Sequence, residues 1–254
     1  MSIRSTIAPC LLCFACASAG GSDPDASRAD ARIRSDGGLD DAASDGGADS
    51  APGQHDAMPG PANVLITEIV DATLAGGLPK FVELTNIGGM PADLSGYSLG
   101  VYSNGNTTLS GNTSRVLSGT LAAGDSYVLN FENSDAAGSS SFRTVYGVDP
   151  DNFDFGALIN GNDVVVLFLA DGGGTGGAAT DTGADATKVD AFGVVGTDGV
   201  GEAWEYTDGY ASRLPATSSP AITFDTAEWQ FSGPDALEGL DASGIAAVTS
   251  PGTH

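Results

Sequence analysis

Histidine and cysteine are almost missing from the parts of this chain that could fold. Its two histidines stand at the margins, His55 in a polar stretch and His254 at the last position. Its three cysteines, Cys10, Cys13 and Cys16, all fall near the start. Ser–His, Cys–His and common zinc constellations therefore have no interior residues to draw on. No disulfide framework can staple the remainder either, so stability must come from an apolar core. Basic residues are scarce too: nine Lys plus Arg face 33 Asp plus Glu, for a formal net charge of −24. Arg4, Arg28, Arg32 and Arg34 precede the foldable region, and Lys80, Arg115, Arg143, Lys188 and Arg213 are scattered through it. Without a basic stripe to release counterions from phosphates, direct nucleic-acid binding is not expected. Such acidity suits a soluble exported protein. Helical periodicity is also lacking over any window of about 10–15 residues. What remains is glycine, 37 residues of it, between short apolar runs, which is the profile of an all-β domain with many turns.

Four regions follow from the order of these features. Residues 1–19 read as an export signal: Arg4, an apolar run from Ile7 to Ala15, then small residues, the run being shorter than the ~20 residues a membrane-spanning helix needs. Two processing routes stay open. Ala17-Ser18-Ala19 is a small-x-small cleavage site, whereas Phe14-Ala15-Cys16 is similar to a bacterial lipobox with Cys16 as the lipidated residue, although Cys13 stands where Leu is usual. Residues 20–60, rich in Asp, Gly, Ala and Ser, are expected to be a disordered acidic linker. Residues 61–241 hold the folding domain. Residues 242–254 show no pattern and are expected to fray.

The domain is organised around Lys80–Leu99, KFVELTNIGGMPADLSGYSL. Val82 and Leu84 alternate with Glu83 and Thr85, so Val82 and Leu84 are assigned to the core and Thr85 to solvent. Asn86-Ile87-Gly88-Gly89 breaks that strand, and Leu94–Leu99 opens another apolar run. Further strands are expected at Val64–Val70, Tyr97–Tyr102, Ser126–Phe131, Val164–Leu169, Lys188–Gly193, Glu202–Tyr206, Ala211–Leu214 and Glu228–Phe231. Residues 132–152 read as an irregular loop pinned by Phe142, Val145 and Tyr146.

Ile66-Thr67-Glu68-Ile69, Phe81-Val82-Glu83-Leu84-Thr85-Asn86 and Asp93-Leu94-Ser95-Gly96-Tyr97-Ser98-Leu99 together resemble the lamin tail domain family. The likeness continues through Leu121–Asp125 and Val164–Leu167, and the part from Val189 to Trp229 looks like the longer bacterial exported version. The resemblance implies an all-β, immunoglobulin-like β-sandwich acting as a non-catalytic interaction or tethering module. It brings no catalytic residue with it.

Chemistry, if present, would rest on carboxylates. Glu68 and Glu83 sit in otherwise apolar strands, as ligand contacts or as hydrogen-bonded strand carboxylates. Trp204 and Trp229 offer either a sugar-stacking platform or core anchors. The loops around Asp171, Asp181, Asp185 and Asp198 could hold Ca²⁺ weakly, although no EF-hand spacing is present. The expected function is therefore an exported binding, tethering or scaffolding module at the bacterial cell surface, with no cofactor and with a protein or cell-surface glycan as partner. A lipid anchor at Cys16 would hold it to the membrane. A carbohydrate- or Ca²⁺-dependent adhesion domain is the alternative, and a carboxylate-based hydrolase the last.

Overall fold

The hairpin of β1 (Val64–Leu74) and β2 (Leu78–Asn86) is the spine of the domain. A computed structural model describes residues 62–109, 114–132, 138–153, 159–170 and 186–254. The segments expected to be an export signal and a linker, with Cys16 and His55, lie outside them, as do Asp171, Asp181 and Asp185. The remaining elements, in order, are β3 (Ala92–Asp93), β4 (Tyr97–Tyr102), β5 (Ser114–Val116), β6 (Thr120–Leu121), β7 (Ser126–Asn130) and α1 (Ser141–Tyr146). Then come β8 (Asn152–Phe153), β9 (Val164–Ala170), β10 (Ala186–Phe192), β11 (Tyr210–Arg213), β12 (Trp229–Phe231) and α2 (Ala242–Ala246).

These strands form a six-stranded sheet, β12-β11-β1-β2-β7-β8, and a four-stranded sheet, β10-β9-β4-β5, with β3 and β6 paired apart. Every pairing is antiparallel except β7 with β8. One apolar core lies between the two sheets. Ile66, Ile69, Val82, Leu84 and Leu129 face Leu99, Val101, Val165, Leu167 and Phe192 across it. The organising stretch does what its pattern demands: Val82 and Leu84 are core residues, and Asn86 ends the strand. The Asn86 amide is fully used, its oxygen accepting from the Asn63 and Gly88 N–H groups and its nitrogen donating to the Met90 and Leu121 carbonyls. Asp93 then caps a single 3-10 turn, Leu94–Gly96, by accepting from the Ser95 N–H. At the end of β4, Asn104 and Gly105 take φ of +53° and +73°, the left-handed pair that a tight Asn-Gly turn requires.

Four expectations are corrected. Residues 242–254 are not a frayed tail. Asp241 caps α2, Ile245 is wholly buried, and Thr249 and the residues after it lie against the six-stranded sheet. Thr85 does not face solvent; it is 3 % exposed and bonded to the Thr67 and Ser126 hydroxyls. The loop region 132–152 contains α1, capped by Ser140 and closed by Gly147 in the left-handed region. Glu202–Tyr206 is turn rather than strand, although Trp204 and Tyr206 are buried.

The first three share one cause. The six-stranded sheet is covered on both faces, because α1, α2 and the C-terminal residues form a third layer on its outer side. One half of that outer face is apolar: Val70, Ala72, Phe81 and Val128 pack with Phe142, Leu237 and Ile245. Phe142 and Tyr146 meet the Phe81 ring edge-to-face at centroid distances of 5.4 and 5.8 Å. The other half is polar, and it contains the candidate site.

Candidate binding face

A bulge builds this polar half. Ile66 pairs with Leu84 and Glu68 with Glu83, so Thr67 is an extra residue in β1. Two consecutive polar side chains, Thr67 and Glu68, can then serve the same outer face. Glu68 and Glu83, opposite each other in register, are 2 % and 1 % exposed. Both carboxylates are hydrogen-bonded. Glu68 accepts from the Ser212 hydroxyl at 3.2 Å and from the Ser250 N–H at 3.0 and 3.2 Å. Glu83 accepts from the Thr67 hydroxyl at 2.6 Å and from the Gly252 N–H. Burial, with the Glu83 charge adding to it, pushes the Glu68 pKa up to about 8. Burial raises Glu83 as well, against the pull of its Thr67 and Gly252 donors.

The pair itself lines a recess of about 210 Å³, together with Ser212, Arg213, Gln230, Thr253 and His254. Arg213 is nearly inaccessible. Its Nη1 donates to Asp190 at 2.6 Å and to the Ile66 carbonyl at 3.1 Å, and its Nη2 to Glu228 at 2.7 Å. The guanidinium lies 5.2 Å from the Trp229 ring centroid. Asp190 also accepts from the Ile66 and Ala221 N–H groups, both at 2.8 Å, so this ion pair ties β10 to the other sheet. Burial raises the Asp190 pKa, and Arg213 opposes that rise. His254 contributes a buried Nε2 with no partner among the described residues, and burial together with Arg213 lowers its pKa.

On the other side of residues 250–253 a groove of about 470 Å³ opens between α1 and the C-terminal layer. Phe142, Tyr146, Val148 and Pro251 line it, with Asp149 and Asp151 at hand. The two tryptophans of the sequence are elsewhere: Trp204 and Trp229 are 3 % and 5 % exposed and meet Phe192 edge-to-face in the core. They are core anchors, and no sugar platform is made from them. Asp198 accepts from the Val200 N–H and the Asn162 side chain, which lowers its pKa. Among the described residues no cluster of three or more His, Cys, Asp or Glu is placed to hold a metal ion. Nor is any described helix long and apolar enough to cross a membrane.

The family model described as Lamin Tail Domain matches residues 57–188, just over half of the chain. The chain belongs to the lamin tail domain family. No curated protein and no solved structure matches it. Lamin tail domains are non-enzymatic, immunoglobulin-like β-sandwiches, and the two-sheet architecture here agrees.

The matched part of this lamin tail domain ends inside β10, which divides the polar face in an informative way. Thr67, Glu68, Glu83 and Thr85 lie within the match. Ser212, Arg213, Ser250, Gly252 and His254, which surround them, all come from beyond it. The sequence flagged Glu68 and Glu83 and the structure brings them together. It gave no warning of Ser250 and Gly252, because these act through backbone N–H groups that carry no side-chain signature. Arg213 did leave a trace, as the lone charge of β11, whereas Asp190 shares β10 with Lys188 and did not stand out.

Proposed function

We propose that this lamin tail domain protein is an exported, non-catalytic binding module held at the cell surface, with the groove beside α1 as the contact for a partner protein. The observation that carries this reading is where the carboxylates stand. A hydrolase would need Glu68 and Glu83 free to meet substrate and water, and both are already taken by Ser250 and Gly252 N–H groups. A groove of about 470 Å³ with Phe142, Tyr146 and Pro251 in its wall fits a partner's side chains better than it fits chemistry. A net charge of −24 favours a cationic partner and repels anionic surfaces. Burial of Trp204 and Trp229 favours a protein over a glycan. The signal-like residues 1–19, with Cys16 as the lipidation candidate, and the polar linker would supply export and reach.

Two measurements test the reading. Mass spectrometry of the native protein should show cleavage before Cys16 with added acyl chains, or after Ala19; an intact Met1 in exported material would refute export. Cys16→Ser should release a lipidated chain from membranes. For the groove, a partner cross-linked to the parent chain at the cell envelope should be lost in Val148→Arg, since Val148 is 59 % exposed at the groove wall. Undiminished cross-linking in a folded Val148→Arg variant would show that the groove is not the contact.

A further inference from the structure

The C-terminal residues that cover the carboxylate pair are held in an unusual way. The strap, residues 248–254, leaves α2 and lies between the 470 Å³ groove on one side and the 210 Å³ recess on the other. Ser250 and Thr253 line both, so the strap is flanked by open space rather than packed into a core. Val248, at its start, is 44 % exposed. It is fastened at Thr249, whose hydroxyl bonds Tyr146 at 2.7 Å and the Ile245 carbonyl at 2.8 Å. Beyond that point its fastenings to the sheet are the Ser250 and Gly252 N–H groups, one to each glutamate.

We infer that residues 248–254 are a protonation-controlled strap, closed while the Glu68–Glu83 pair holds a proton and lifted once both carboxylates are ionised. Two like charges on neighbouring strands, each 2 % exposed or less, ionise together only at a cost when no cation is bonded to them. Among the described residues no cation forms an ion pair with either glutamate. Arg213 lines the same recess but directs Nη1 and Nη2 to Asp190, Ile66 and Glu228. The His254 imidazole is driven toward its neutral form by burial and by Arg213. Tyr146 on α1 is kept neutral by burial, and Asp151 adds negative charge against Glu83. Lifting the strap gives up the Ser250 and Gly252 N–H groups, which favour the ionised forms, and admits water to both carboxylates in their place, relieving the burial that outweighs those donors.

The sign follows from linkage. The hydrated, open form should titrate near an ordinary glutamate, about 4.3. The closed form holds its proton on Glu68 up to about pH 8. Protons therefore favour closure, and the closing equilibrium weakens by as much as ~10-fold per pH unit between roughly pH 5 and pH 8. This control is a property of the chain itself and holds whatever the groove binds.

Hydrogen–deuterium exchange of the full chain reads the strap directly. Exchange at about pH 5.5 and about pH 8.5, with the intrinsic chemical rate divided out, should show the opening of residues 248–254 rising at least ~100-fold in the parent. The amides of β4 should stay far better protected at both values. Glu68→Gln, which cannot ionise, should flatten the rise. Glu83→Gln removes the neighbouring charge that raises Glu68, so it should make the rise smaller and end it at a lower pH, and it serves if Glu68→Gln does not fold. The inference is overturned if the parent strap opens equally at both pH values. It also fails if both variants keep the parent's response, or if the strap exchanges only as fast as β4.

Discussion

Asp190 joins β10 of one sheet to β1 and β11 of the other, and asparagine in its place would test how much of the sandwich hangs on that junction. Its Oδ2 accepts from the Ile66 N–H at 2.8 Å and from Arg213 Nη1 at 2.6 Å, while Oδ1 accepts from the Ala221 N–H at 2.8 Å. Asparagine keeps one oxygen and turns the other into an NH₂ group. Whichever way the amide points, at least one buried donor meets another donor. The Arg213 guanidinium, with its side chain 2 % exposed, keeps only Glu228 as a counter-charge. Removing one partner of a buried ion pair costs about 3–5 kcal/mol, and the surviving Glu228 contact places this change near 3 kcal/mol. Against a total of about 5–15 kcal/mol this is a large fraction. With a urea slope of about 1–3 kcal/mol/M, the midpoint should fall by about 1–3 M. Trp229, 5.2 Å from the guanidinium, and buried Trp204 give a fluorescence signal for the melt. Arg213→Met and the double variant complete a cycle, in which the pair should show a coupling of at least ~1 kcal/mol. An Asp190→Asn protein within about 0.5 kcal/mol of the parent would refute the junction as a structural element.

Thr85→Asp should destabilise the domain by about 2 kcal/mol or more, since it sets a new carboxylate beside Glu83 among the Thr67 and Ser126 hydroxyls; a urea midpoint equal to the parent's would mean that the outer layer does not cover this face. Gly161→Ala should cost upward of ~2 kcal/mol, because its Cβ would lie 1.8 Å from the Thr207 backbone nitrogen. Gly124→Ala, at φ +82° in open space, should cost only about 1 kcal/mol, and the reverse ranking in thermal melts would sink the argument. Glu68→Gln should gain stability relative to the parent as pH rises from about 5 to about 8, with little gain at the lower value. A glutamate whose folded pKa is raised above its unfolded one contributes its stability only at low pH and loses it on the way up. Urea midpoints that fall in parallel for both proteins would assign the pH dependence to other groups.

The strands that were legible are those whose burial comes from one core. Val82 and Leu84, Tyr97–Tyr102 and Val164–Leu169 each carry a period or an apolar run that survives in the fold, because the inter-sheet core selects the side chains facing it. The turn residues were legible for a local reason: Asn104-Gly105 needs a left-handed pair whatever surrounds it. Trp204 and Tyr206 show the limit. Their apolar character announced burial correctly but suggested a strand, and the residues form a turn whose rings still reach Phe192. The solvent-side assignment of Thr85 failed because a period of two reports which residues share a face, not whether the second face is wet.

Local chemistry along the chain thus determined the fold class, the family, the core facing of the organising strand, and the want of His and Cys for conventional catalysis. The tertiary structure alone decided that the outer face of the six-stranded sheet is covered by a third layer. That layer rests on Phe142, Tyr146 and Ile245, brought from distant and short helices that leave no helical period. It also rests on the Ser250 and Gly252 backbone N–H groups, which every non-proline residue has and no sequence pattern marks. The pairing of Glu68 with Glu83, and of Asp190 with Arg213, is of the same kind. It depends on strand register and on a one-residue bulge, quantities that exist only once the strands have met.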